Sequence, residues 1–175
     1  MIMTVEELRE YITTEDPDSL LDAKLRAIEQ LIRKYTNNNF QKRAYRVTAD
    51  SSNGVFISDW LVPFKVGDTV QISDSPMNDG LYTVTEVDDA TFKVDEDVAD
   101  AIKMTVTKIE YPMDIKMGVV NMIKWDIENR SKVGIQSETI SRHSVTYFNM
   151  DGDNSSLGYP KSLTGFLKPY MKARF

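Results

Sequence analysis

The chain has 175 residues, 21 of them basic and 27 acidic, a net charge of −6 and no cysteine. That length builds one ordinary domain or two small ones without a staple, and the absence of cysteine excludes disulfides, thiolate metal sites and cysteine nucleophiles. The single histidine, His143, excludes multi-histidine metal sites, and an acidic chain is a poor partner for nucleic-acid phosphates.

The first element in chain order is a short helix. Thr4-Val5-Glu6-Glu7 has capping-box spacing, with Met3 and Leu8 at the staple positions, and predicts helix to about Thr13. Thr14-Glu15-Asp16-Pro17 breaks it. Asp18–Tyr35 then predicts a helix about 27 Å long. Its Leu20, Leu21, Leu25, Ala27, Ile28, Leu31, Ile32 and Tyr35 fall in one arc of about 160°, wider than the stripe of about 100° that one core needs. Such a helix is either central to an ordinary core or faces a second neighbour such as another subunit. Asn37-Asn38-Asn39 ends it, because Asn tolerates left-handed backbone.

From Tyr45 the period changes to 2. Arg46–Thr48, Val55–Ile57, Thr69–Ser73, Leu81–Val87, Thr91–Val94 and Met104–Ile109 predict strands. Asn53-Gly54, Val66-Gly67-Asp68, Asn78-Asp79-Gly80 and Asp88-Asp89 supply the turns. So many short strands in one block predict a small barrel or sandwich inserted between helices. Pro112 opens the next helix, in which Ile115, Met117, Val119, Val120, Met122, Ile123, Trp125 and Ile127 surround the axis. A helix apolar all round is buried all round, which again points to contact between subunits. Asp126 within it is either a paired interface carboxylate or a solvated position in the last turn. Gly134 predicts the stop, Ile135–Thr139 a linker, Ser144–Phe148 a strand, and Asp151–Ser156 a polar loop. Pro160 starts a final short helix, and Pro169 ends it.

The charge is uneven. Residues 45–111 hold 13 acidic and 5 basic side chains, whereas Ser155–Phe175 holds Lys161, Lys168, Lys172 and Arg174 and no acid. No run approaches the length of a membrane span. Met1-Ile2-Met3-Thr4 lacks the basic region and apolar core of a signal peptide, so the expectation is a soluble protein made in a cytoplasm.

Chemical motifs are scarce. The Asp151 loop lacks the glycine and glutamate of a calcium loop. Asp95-Glu96-Asp97, with Asp88, Asp89 and Asp100, could bind Mg²⁺ in a nuclease-like site or form a solvated face. His143 beside Ser141 and Ser144 has no nucleophile elbow. Neither a phosphate loop nor a dinucleotide fingerprint is present. Trp60, Phe64, Tyr82 and Phe92 form either a stacking platform or barrel core. Nothing here implies an enzyme, a cofactor or a metal.

The two flanks carry a resemblance. Asp16-Pro17, Leu20-Leu21, Ile28 and Tyr35-Thr36-Asn37-Asn38-Asn39-Phe40, then Gly134-Ile135-Gln136-Ser137-Glu138-Thr139-Ile140, Ser144-Val145-Thr146-Tyr147, Gly158-Tyr159-Pro160, Leu163 and Leu167-Lys168-Pro169-Tyr170, stand in order. This pattern resembles the head–tail connector (adaptor) proteins of long-tailed bacteriophages. It covers 1–44 and 112–175. It departs where Ser141-Arg142 replaces a usual glycine, and in the longer block 45–111, which resembles small SH3-like modules of phage tails and connectors.

The resemblance implies an α+β chain. A helical connector core of three main helices plus a short C-terminal helix (1–44 and 112–175) would carry an inserted antiparallel β-barrel (45–111). It implies a structural virion protein at the head–tail interface, present in the host cytoplasm during assembly. Copies would form a homo-oligomeric ring, commonly of twelve, on the portal protein, meeting the next connector, stopper or tail protein. DNA would pass through the channel without specific binding, and no membrane is involved. Leu20, Leu31, Met117, Val120, Trp125 and Asp126 become subunit-interface residues. Lys168, Pro169, Tyr170, Lys172, Arg174 and Phe175 become the portal-binding tail, with Tyr170 and Phe175 as anchors. The alternative function is a β-module that recognises a protein or glycan partner in a tail or connector complex.

Overall fold

Alternation of apolar and polar residues after Asn39 curls one stretch of the chain into a barrel. The computed structural model describes residues 1–129, 137–140, 143–146 and 154–173. The chain forms two units, Met1 with Asn39–Tyr111 and Ile2–Asn38 with Pro112–Phe175.

In the first unit six antiparallel strands close in the order β1-β2-β5-β4-β3-β6. They are β1 (Gln41–Ser52), β2 (Val55–Ser58), β3 (Thr69–Ser73), β4 (Gly80–Asp88), β5 (Thr91–Val94) and β6 (Ala101–Ile109). Closure leaves no edge open to pairing with another chain. Register shifts between Gln41 and Arg46 and between Ala49 and Ser51 bend β1 along β6. Its far end pairs with β2, Ser52 opposite Val55. Asn53 and Gly54 join the two with φ of 51° and 77°, a turn whose twist matches the flanking strands.

The inward positions follow the period of two. Val47 and Ala49, Val70 and Ile72, and Met104 and Val106 are buried in one cluster. Phe56 stacks on Phe92 at 4.7 Å and 8°, and Phe64 meets Phe92 edge-on at 5.5 Å. Burying a Phe side chain stabilises by about 1.5–3 kcal/mol. Buried Asn78 ties the β3–β4 loop to the approach to β6, donating to Ala99 O at 2.8 Å and accepting from Ala99 N at 2.9 Å. Phe40, at φ 52°, packs on Tyr111 at 4.9 Å while its carbonyl accepts from Glu110 N. The two ends of the barrel segment are thereby joined, at the strain of a bulky residue held left-handed.

The second unit holds α1 (Val5–Tyr11), α2 (Asp18–Thr36), α3 (Met113–Asn129) and α4 (Lys161–Thr164), followed by a 3-10 turn over Gly165–Tyr170. Thr4 closes the capping box, its Oγ1 accepting from Glu7 N at 3.1 Å. Arg9 organises the break to α2, donating to Thr14 O, Asp16 O and the Asp18 carboxylate. β7 (Ser137–Ile140) pairs with β8 (His143–Thr146), and β9 (Ser155–Ser156) with β10 (Tyr159–Pro160). A strand therefore stands within the stretch expected as the linker Ile135–Thr139. The expected stop at Gly134, the departure at Ser141-Arg142, Tyr147-Phe148 and the Asp151–Asp153 loop lie outside the described residues.

The expected fold class is corrected. The chain carries a closed six-stranded antiparallel barrel and, among the described residues, more strand than α-helix; it is not a helical core of three main helices with a β insert. Among the described residues ten strands accompany four α-helices. α1 has seven residues, because Ile12 already turns extended at φ −132° and ψ 146°, and α4 has four. The long helices are also less apolar outside than their arcs suggest. α2 buries Leu21, Leu25, Ile28 and Ile32 in a single stripe, and Glu29 is buried too, while Leu20 and Ala27 are exposed. α3 buries Ile115, Val119, Val120, Met122 and Ile123 but exposes Met113, Met117 and Ile127, so it is not buried on all sides. No helix among the described residues is long and apolar enough to cross a membrane.

Candidate functional site

The end of α2 and the C-terminal segment form one joint. Asn37 takes left-handed backbone at φ 49° and ψ 36°, which ends the helix and frees its side chain. That side chain donates from Nδ2 to Ala173 O at 2.8 Å. Asn38 Nδ2 donates to Tyr170 O at 3.2 Å. Lys172 N–H fills the carbonyl of Thr36 at 2.8 Å, an acceptor that the helix itself cannot satisfy. At α3, the Tyr170 hydroxyl donates to both oxygens of Asp114. Asp114 sits in the first turn, where a carboxylate is favoured by the helix dipole. Its hydrogen bond is the chief cause that raises the Tyr170 phenol above its ordinary value, with burial and charge adding to it.

A second joint lies along α3. Gly118 leaves room for Phe166: a Cβ there would stand 2.2 Å from the ring. Buried Tyr159 meets Trp125 edge-on at 5.7 Å and donates to Asp126 at 2.8 Å.

The tail residues divide accordingly. Lys168, Pro169, Met171 and Lys172 are exposed on a segment held at both ends. Tyr170 is half-buried and engaged with Asp114. Arg174 and Phe175 lie outside the described residues. Of the interface candidates, Leu20 and Met117 are exposed and Leu31 is half-buried. Val120 is fully buried within its own chain and has no surface for a neighbour. Trp125 and Asp126 are half-buried and joined through Tyr159.

In the barrel the aromatic candidates separate. Phe64 and Phe92 are core, Tyr82 is half-buried, and Trp60 is 76 % exposed beside Leu61 at 75 %. Burial, then the charges of Glu96, Asp79 and Asp95, raise the Tyr82 phenol. Two of the acids bind backbone: Asp95 accepts from Thr83 N of β4 at 2.7 Å, and Asp100 from Asn53 N of the β1–β2 turn at 2.8 Å. Among the described residues no group of three or more His, Cys, Asp or Glu could hold a metal ion. A depression of about 90 Å³ beside Val87 and Phe92 is far below the size of a small-molecule site.

No family model and no curated protein matches the chain.

The joint was only partly legible in the sequence. The Asn run marks a helix end, but its amides also donate to chain about 130 residues away, and no local spacing encodes that. Exposure of Trp60 and Leu61 follows from their place in the β2–β3 loop, outside the alternating strands.

Proposed function

We propose that the chain is a structural, non-enzymatic subunit of a phage virion, forming a ring between portal and tail that extends the DNA channel and joins head to tail. One observation carries this reading. Two of the segments that carry the resemblance, Tyr35–Phe40 and Leu167–Tyr170, are tied by Asn38 and by the neighbouring bonds of Asn37 and Thr36. Exposed Leu20, Met117 and Ile127 on α2 and α3 supply apolar surface for neighbouring copies. The resemblance directs the C-terminal segment towards the portal.

Light scattering and negative-stain imaging of the chain, alone and with the portal protein of the same genome, test this reading. Closed rings on the portal support it, and a chain that stays unassociated with portal overturns it. Trp60 and Leu61 favour the second reading, a barrel that binds a protein or glycan partner. That reading predicts portal-independent binding that is lost in Trp60→Ala, with ring formation absent.

A further inference from the structure

The barrel carries an apolar lip in an acidic setting. Ser58 N donates to Ala90 O at 2.8 Å and Val62 N to Asp89 O at 2.9 Å. These bonds fasten Asp59, Trp60 and Leu61 beside the Asp88–Asp89 turn. Ile57, half-exposed, lies in the same row as Thr91 and Asp88 across β2, β5 and β4. Two large apolar side chains standing in water are thus flanked by Asp59, Asp88 and Asp89.

Charge decides what can cover them. With 13 acidic and 5 basic residues in 45–111, one barrel repels another. A face-to-face contact of two lips would place like charges together. The C-terminal segment has the opposite arrangement: exposed Met171, 51 % accessible, lies between exposed Lys168 and Lys172, in a stretch with no acid. Its backbone is fixed by Thr36, Asn37 and Asn38, so it is presented ready-made.

We infer that the Trp60–Leu61 lip of one copy receives the Lys168–Lys172 segment of a second copy, Met171 packing on Trp60 and the lysines facing Asp59, Asp88 and Asp89. Thioether–aromatic contact and opposite charge act together there. The contact uses two different faces, so it propagates head to tail and closes into a ring when the rotation allows. This rests on the ring-forming reading above. It gives the Lys168–Lys172 segment to the neighbouring subunit in place of the portal contact that the resemblance implies for it.

Because the chain has no cysteine, single substitutions report the contact. Leu61→Cys and Met171→Cys chains, one of them tagged, are mixed with and without portal and treated with a short bis-maleimide. The expected result is a mixed Leu61→Cys/Met171→Cys product well above either self-product. Asp59→Lys with Asp89→Lys in the Leu61→Cys chain should lower that product about tenfold. Lys168→Asp with Lys172→Asp in the partner should restore it. Portal-bound rings without the mixed product, or a product indifferent to charge reversal, would overturn the contact and leave the ring standing. Absence of rings and product alike would overturn both.

Discussion

Tyr170 donates its hydroxyl to both carboxylate oxygens of Asp114, at 2.7 and 2.8 Å. One phenol thus fastens the C-terminal segment to the start of α3, while Asn37 and Asn38 fasten it to the end of α2. The segment belongs to the fold of its unit through Ala173.

The bond sets a pH dependence. The Tyr170 phenol is raised from its ordinary 10.0, chiefly by Asp114. Stabilisation from a group with a raised folded pKa is complete below the unfolded value and is lost as pH rises through the folded one. Proteolytic release of the C-terminal segment should therefore increase above about pH 10 in the native chain, in the window set by that shift. Tyr170→Phe should show faster release at neutral pH and lose this alkaline step; an unchanged step would assign it to another group.

Asn37→Ala with Asn38→Ala removes two donors from the joint. Loss of a hydrogen bond costs about 0.5–1.5 kcal/mol each. The double variant should fall in stability by roughly twice that or more, because Ala also strains the left-handed backbone at Asn37, and trypsin should cut after Lys172 sooner. Denaturant melts and limited proteolysis check both outcomes.

Gly118→Ala should destabilise the chain although Ala is the better helix former. The new Cβ would stand 2.2 Å from the Phe166 ring, and overpacking costs about 1–3 kcal/mol against a gain of about 1 from helix propensity. Phe166→Leu should recover part of the loss in a double-mutant cycle. Additive effects would show that the ring is not the obstacle.

Leu20→Glu and Val120→Glu separate surface from core. Leu20 is exposed, so its substitution should change stability by less than about 0.5 kcal/mol and weaken ring assembly. Val120 is fully buried, and a carboxylate there should unfold its unit. Thermal melts and light scattering distinguish the two.

The sequence was most legible where the signal is local. Thr4-Val5-Glu6-Glu7 forms its capping box, Asn53-Gly54 its turn, and the alternating runs from Val47 to Ile109 their strands. It was least legible where the chain meets itself at long range. β1 begins at Gln41, before any alternation shows, because β6 supplies its partners. Closure of the barrel depends on that same pairing, which no local run of residues encodes. An arc of apolar residues overstates burial, as Leu20, Ala27 and Met117 show, since a helical wheel counts side chains without knowing what stands opposite. In the candidate site, the tail and the Asn run are visible as separate motifs, whereas their union through Asn38 and the role of Asp114 arise only on folding.

Cryo-electron microscopy of the head–tail vertex in particles that incorporate a tagged copy of this chain tests ring formation between portal and tail. A closed ring of this chain should lie directly beneath the portal, with its barrels visible as discrete densities around the channel. Particles whose portal meets the tail with no density for the tagged chain would contradict it.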